Sequence, residues 1–198
     1  MKRINLCLKR IIDIIGSLVG LVILSPVFLV IALFIKMDSP GPVFFVQDRL
    51  GLRGRTFRII KFRTMVVNAE NIGDGLIVKS ERDPRITKVG RILRATSLDE
   101  LPQLINVLKG DMSLVGPRPP ATYHPYDGYA KYPEWAKKRF EMRPGITGLA
   151  QVRLRNSAPW TERIEMDVKY VEQYHIAKDF WILFWTIRRV FTKENIYA

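Results

Sequence analysis

Two adjacent carboxylates, Asp99 and Glu100, open an apolar run, and an arginine held between prolines, Arg118, closes it. Ser97 to Pro119 reads S-L-D-E-L-P-Q-L-I-N-V-L-K-G-D-M-S-L-V-G-P-R-P. Leu101, Leu104, Ile105 and Leu108 recur at helical spacing, so one face is built for burial. Ser97 and Glu100 fit an S-x-x-E capping box, which predicts a helix whose first turn holds both acids. There the free N–H groups and the helix dipole favour negative charge. Pro102 offers a second start, because proline is tolerated at the first helical position and not deeper. On either reading the acids sit at a helix entrance between cations, with Arg91 and Arg94 before them and Lys109 and Arg118 after. An ordinary acidic first turn accounts for the pair, and so does a centre that handles an anionic substrate. The residues by themselves leave both open.

Taken whole, the stretch closely resembles the core of the bacterial sugar transferase family. These are the monotopic phosphoglycosyl transferases that load a first phosphosugar onto a polyprenyl phosphate. The likeness continues in K-F-R-T-M at Lys61 to Met65 and R-P-G-I-T-G at Arg143 to Gly148, covering most of the chain. It implies that Asp99 is the nucleophile and Glu100 its catalytic neighbour, the two also being the protein contacts of a Mg2+ ion. The implied reaction has two steps. Asp99 attacks the sugar-proximal phosphorus of a UDP-sugar and releases UMP, and polyprenyl phosphate then takes the phosphosugar from the aspartyl intermediate. A carboxylate attacking a diphosphate needs cations to screen repulsion. The resemblance accordingly puts Lys61, Arg94 and Arg118 on phosphoryl oxygens, with Arg94 preferred to Arg91. It adds Arg143 to the substrate-binding set, and Asp167 through a downstream D-x-x-Y formed with Tyr170. No residue chooses the sugar.

Read without the family, several of these positions have plainer accounts. Lys61 shares a strand face with Phe57 and Ile59 and could be a solvated edge lysine. Arg143 to Gly148 could simply turn the chain into a strand, or its N–H groups could receive phosphate. His124 and His175 stand alone, without metal-ligand spacing, and are read as structural.

The elements that must hold the site begin with an anchor. Ile14 to Ile35 is 22 residues without a charge, roughly 33 Å as a straight helix and enough to cross a hydrocarbon core. Its length and the lack of a small-residue cleavage site argue against a signal peptide. Ser25-Pro26 at its middle predicts a kink, with the serine bonding back to a carbonyl. Lys2, Arg3, Lys9 and Arg10 precede it, and Lys36, Arg49, Arg53, Arg55 and Arg58 follow. Basic residues on both flanks draw both ends to the cytoplasm and favour a re-entrant helix over a spanning one. The family resemblance implies the same.

Beyond Ser39-Pro40-Gly41-Pro42, Val43 to Gln47 and Thr56 to Arg63 read as strands joined by a turn at Gly51 to Gly54. Asn68 to Asp83 is a polar loop and a candidate lid. Thr87 to Ala95 and Thr161 to Tyr174 read as amphipathic helices. The tyrosine-rich Ala121 to Trp135 either packs as a loop or lies on a bilayer. Phe180 to Trp185 is too short to span and, leading into Arg188 and Arg189, suits either the headgroup layer or a buried C-terminal helix.

The totals agree. A net charge of +13, from 32 Lys and Arg against 19 Asp and Glu, calls for an anionic partner. Cys7, the single cysteine, excludes an internal disulfide and fits a reducing compartment. A basic membrane-tethered binding module would explain charge and anchor, but no nucleic-acid motif is present and such a module gives no reason for the acidic pair. The fold class expected is α/β, mostly helical. It comprises a re-entrant anchor at residues 1–38, a compact cytoplasmic domain at 39–198, and interfacial amphipathic helices, at the cytoplasmic face of the bacterial inner membrane. Its expected partners are a UDP-sugar, polyprenyl (undecaprenyl) phosphate and membrane lipid, not nucleic acid. A homodimer is left open.

Overall fold

A computed structural model describes residues 2–72, 83–154 and 158–192. Most of the loop read as a lid, 73–82, lies outside them.

The chain opens with α1 (Lys2–Asp38), a 37-residue helix that continues through Pro26. At the standard rise it is about 55 Å long, and it is apolar enough to cross a membrane. Ser25 donates its hydroxyl to the Val22 carbonyl at 2.8 Å, the back-bond expected beside the proline. The helix does not stand clear of the remaining chain. Near its start Lys9, Asp13 and Ser17 are buried, and near its end Ile31 and Ile35 pack with Phe62 and Leu93. Val22, Ile23, Leu29 and Leu33 are left exposed. One face of α1 thus belongs to the fold along its length, while the other carries bare apolar side chains.

Two small sheets follow. β1 (Phe44–Leu50) and β2 (Thr56–Phe62) form an antiparallel hairpin with Phe45 opposite Lys61 and Arg49 opposite Phe57. β1 runs past the predicted end at Gln47, because Leu50 is buried in a cluster with Tyr132 and Phe140. β3 (Ser113–Val115) pairs in parallel with β4 (Gly145–Thr147). The outer edge of each sheet is closed by side chains, the usual requirement for an unpaired strand. Asn106 accepts from the Ile60 N–H (3.0 Å) and donates to the Arg58 carbonyl (2.7 Å) on β2. On β3, Asp13 of α1 accepts from the Ser113 hydroxyl and the Leu114 N–H, both at 2.9 Å.

The helices around the site are short. α2 (Lys88–Thr96) is capped by the Thr87 hydroxyl, which accepts from the Gly90 N–H at 3.0 Å, and the Asp38 carboxylate accepts from the Val89 N–H at 2.8 Å. α3 (Gln103–Lys109) ends at Gly110 with φ 92°, a left-handed cap that glycine adopts without strain. The remaining helices are α4 (Glu134–Lys137), α5 (Leu149–Arg153), α6 (Trp160–Glu172) and α7 (Ile176–Thr192). The chain is mostly helical, as expected. The tyrosine-rich stretch packs as a loop, with Tyr132 buried between Tyr126 and Phe140. α7 divides its faces: Ile182 is buried with Tyr170, while Phe180, Phe184 and Ile187 are exposed.

Candidate active site

The capping box does not form. Ser97 has φ 56° and closes α2, its N–H bonding the Arg94 and Leu93 carbonyls, and its side chain caps nothing. A 3-10 turn, Leu98 to Glu100, carries the acids instead, and α3 begins only after Pro102. Packing decides this outcome. In a 3-10 turn residues three apart share a face, and Leu98 and Leu101 both pack on the Ile31–Phe62–Leu93 cluster. Asp99 and Glu100, between them, are thereby directed elsewhere and stay only partly buried. Pro102 costs α3 nothing at this point, because its missing N–H would have no intrahelical acceptor.

The K-F-R-T-M stretch supplies the wall facing the acids. Lys61 donates to Glu100 Oε1 at 2.6 Å. Phe62 enters the core. Arg63 donates to the Ser39 carbonyl at 2.7 Å and also to the Pro40 carbonyl, at the end of α1. The Thr64 hydroxyl accepts from Arg94 Nε at 2.9 Å, which sets the guanidinium from α2. Gly90 lets α2 approach this strand end, since a Cβ there would meet the Thr64 carbonyl at 2.0 Å. On the other side Arg118 Nη2 lies 3.7 Å from Glu100 Oε1.

The two acids have opposite electrostatics. Burial pushes the Asp99 carboxyl up to about 6, with Lys61 and Arg94 pulling against it and Glu100 pushing with it. Burial works against an ionised Glu100 too, but Lys61, Arg118 and Arg49 outweigh it and hold that carboxyl down at about 2. Glu100 is therefore committed to cations. Asp99 makes no salt bridge among the described residues and is the acid left available.

Arg49, which the sequence reading took only as a flanking positive charge, belongs to this group. It lies on the same face of the hairpin as Lys61, because Phe45 stands opposite Lys61 and Arg49 is four residues, an even step, further along β1. It donates to Gln47 Oε1 at 2.6 Å and to the Pro119 carbonyl at 3.4 Å, and its Nε is buried without a partner. Burial and the nearby Arg118 charge lower its pKa to about 10. The alternation of β1 extended through a register set by the Gly51 to Gly54 turn was the signal that could have found it.

The other predicted residues lie apart from the pair. Arg91 and Lys109 are exposed and make no ion pair with it. Arg143 donates Nε to the Gly110 carbonyl at 2.8 Å and, with Arg10 on the Val107 and Leu108 carbonyls, satisfies the end of α3. Asp167 is fully buried against Arg139 at 2.5 Å. It reaches the Arg118 loop through Arg139, which also donates to the Arg118 carbonyl at 2.7 Å, and Arg118 itself acts on its carboxylate.

For metal binding the described residues hold no cluster of three or more His, Cys, Asp or Glu. Mg2+ keeps most of its shell as water and substrate phosphate and needs only one or two carboxylates. Asp99, with the Glu100 oxygen that Lys61 and Arg118 do not contact, fits an ion shared with a diphosphate and not an all-protein cage.

The chain is similar to several known proteins. A UDP-glucose:undecaprenyl-phosphate glucose-1-phosphate transferase of Caulobacter vibrioides is 45% identical over 96% of this chain and 72% of its own length. The galactosyl transferase CpsE of Streptococcus agalactiae is 44% identical over 94% of the chain. A UDP-N-acetylgalactosamine-undecaprenyl-phosphate N-acetylgalactosaminephosphotransferase of Aeromonas hydrophila is 40% identical over 93%. The chain spans only 42% and 44% of the length of these last two. The family match itself runs from residue 4 to residue 193, through the anchor, the acidic turn and α7, and the chain belongs to the bacterial sugar transferase family.

Proposed function

We propose that this protein transfers a sugar 1-phosphate from a UDP-sugar to polyprenyl phosphate through an aspartyl-phosphosugar intermediate. The observation that carries the proposal is the charge imbalance at the acidic turn. Four cations (Lys61, Arg94, Arg118 and Arg49) act on two carboxylates, and one of those, Asp99, makes no salt bridge among the described residues. A site with this surplus is suited to a substrate carrying at least two negative charges.

Asp99 attacks the sugar-proximal phosphorus. An O–P bond forms to its carboxylate as the bond to the departing UMP oxygen breaks, and UMP takes the electron pair. An oxygen of polyprenyl phosphate then attacks the same phosphorus and returns Asp99 as free carboxylate. Lys61, Arg94 and Arg118 hold phosphoryl oxygens as charge moves between them. Glu100 keeps Lys61 and Arg118 turned towards the reacting group. Mg2+ held through Asp99 or Glu100 would neutralise diphosphate charge.

The lipid substrate requires a site at the membrane surface, and α1 supports that placement. Its buried faces near Lys9 and near Ile35 meet the same domain, which favours both ends on one side of the bilayer, with residues 1–38 as a re-entrant anchor and 39–198 at the cytoplasmic face of the inner membrane. The sugar is left open, since glucose, galactosyl and N-acetylgalactosamine names all occur among relatives of 40–45% identity.

With UDP-sugar and Mg2+ but no lipid acceptor, UMP is expected in a burst no larger than the enzyme concentration, leaving protein heavier by one phosphosugar. Asp99→Asn should show neither burst nor adduct. An active enzyme that releases no UMP until lipid is added would sink the covalent route.

A further inference from the structure

The loop between β3 and Arg118 is tied to β4 by two backbone bonds, from the Gly116 N–H to the Thr147 carbonyl at 2.8 Å and from the Gly145 N–H to the Pro117 carbonyl at 2.9 Å. Two of its carbonyls are held by buried cations. The Val115 carbonyl accepts from Lys9 Nζ at 2.8 Å, and that amine also donates to Asp179 Oδ2 at 2.6 Å. The Tyr170 hydroxyl donates to the other oxygen of Asp179 at 2.6 Å and stands 3.4 Å from the Val115 carbonyl. At the other end Arg139 Nη2 donates both to the Arg118 carbonyl at 2.7 Å and to Asp167 Oδ2 at 2.5 Å. Asp167 and Tyr170 lie one turn apart on α6 and are at most 1% exposed. The D-x-x-Y spacing thus reaches both ends of the Val115 to Arg118 loop from a single rigid face.

Neither arm touches Asp99 or Glu100, so these are positioning residues. Holding two carbonyls through two buried ion pairs is an expensive solution, because burying a charge is costly even when it is paired. Apolar packing would fix the loop more cheaply, but it would not fix the direction of a carbonyl. We propose that α6 aims Arg118 by clamping its loop at both ends, through Asp167–Arg139 and through Tyr170–Asp179–Lys9, and that Lys9 makes the seating of α1 one arm of the clamp. The inference rests on the reading of Arg118 as a substrate-facing cation.

The test is a double-mutant cycle on the full-length protein in phospholipid nanodiscs, measuring single-turnover UMP release to completion. Tyr170→Phe and Lys9→Met loosen one arm and Arg139→Lys the other, each with and without Arg118→Ala. With Arg118 present, each variant is expected to slow release about five- to tenfold. With Arg118→Ala the same changes should cost less than twofold, because nothing is left to aim. A purely structural role would lower the melting temperature and cost equal factors in both backgrounds, and that result overturns the clamp. Full activity of Arg118→Ala alone would instead overturn the reading of Arg118, and the clamp with it. Should Arg139→Lys fail to fold, Tyr170→Phe decides the matter, since it removes one hydroxyl and keeps the packing.

Discussion

Two clusters of charge lie near one another in this protein and are built on opposite rules. Arg139 and Asp167 form a one-to-one pair, each side chain 1% exposed. The acidic turn collects more cations than anions, and its members keep some exposure: 18% for Lys61, 20% for Glu100, 39% for Arg118. A balanced, sealed pair presents no uncompensated charge to solvent, even though Arg139 Nε and Nη1 and Asp167 Oδ1 find no hydrogen-bond partner among the described residues. An unbalanced, open cluster is incomplete without an anion. The contrast shows that site and scaffold can be told apart by the count of charges and their access to water, where residue type alone does not separate them.

Removing the same side chain from each cluster should break the two in different ways. Asp99→Ala is expected to abolish turnover, by at least about a thousandfold or roughly 4 kcal/mol in the barrier, with the melting temperature unchanged or raised. The sign follows from burial. A carboxyl whose folded pKa lies above its unfolded value loses stability as pH rises through that interval, so near neutral pH the ionised Asp99 contributes no support. Asp167→Ala should instead leave Arg139 as a buried unpaired cation and cost about 3–5 kcal/mol of stability. Thermal melts and turnover on both variants check the pair of outcomes, and a stable Asp167→Ala would erase the distinction.

A smaller effect tests whether the open cluster needs shape as well as charge. Arg118→Lys keeps the charge and loses the planar fork. Turnover should fall at least tenfold, about 1.4 kcal/mol, and wild-type rates in that variant would reduce Arg118 to part of the Pro-Arg-Pro turn.

The smallest expected change is in pH dependence. On the proposed covalent route Asp99 must be ionised to attack, so kcat/KM should fall on the acid side around pH 6, where burial puts that carboxyl. Lys61 is the strongest of the cations favouring the ionised form. Lys61→Gln should therefore move the acid limb to higher pH, beyond its effect on rate. An unmoved limb would mean that another group controls it.

The nearness of the acids, Lys61 and Arg118 was legible because they fall in a nearly continuous motif and one hairpin strand, and that of Arg94 because it lies just before that motif. The hairpin itself was legible from alternation around Gly51 to Gly54. What could not be read was where long side chains end. Lys9 looked like one more charge setting membrane orientation, yet it is buried on Asp179. Arg139 gave no local signal at all, since its partners lie on α6 and on the Arg118 loop. The capping box failed for a related reason. Its local bonds lost to the burial of Leu98 and Leu101 against α1 and β2, a contact that no window of sequence around Ser97 contains.

The closing of β3 by Asp13 bears on how the protein is made. Synthesis delivers α1 before β3, and Ser113 and Leu114, whose bonds Asp13 completes, emerge about 100 residues after it. Until then the carboxylate waits on a helix whose opposite face carries exposed apolar side chains. The strand that leads to the Arg118 loop is finished only when it finds that helix. A ribosome halted before residue 113 would hold α1 without its strand partner, and cutting away residues 2–38 would expose a raw strand edge and an apolar cluster to water. Maturation of the site is thereby tied to the place where its helix has already settled.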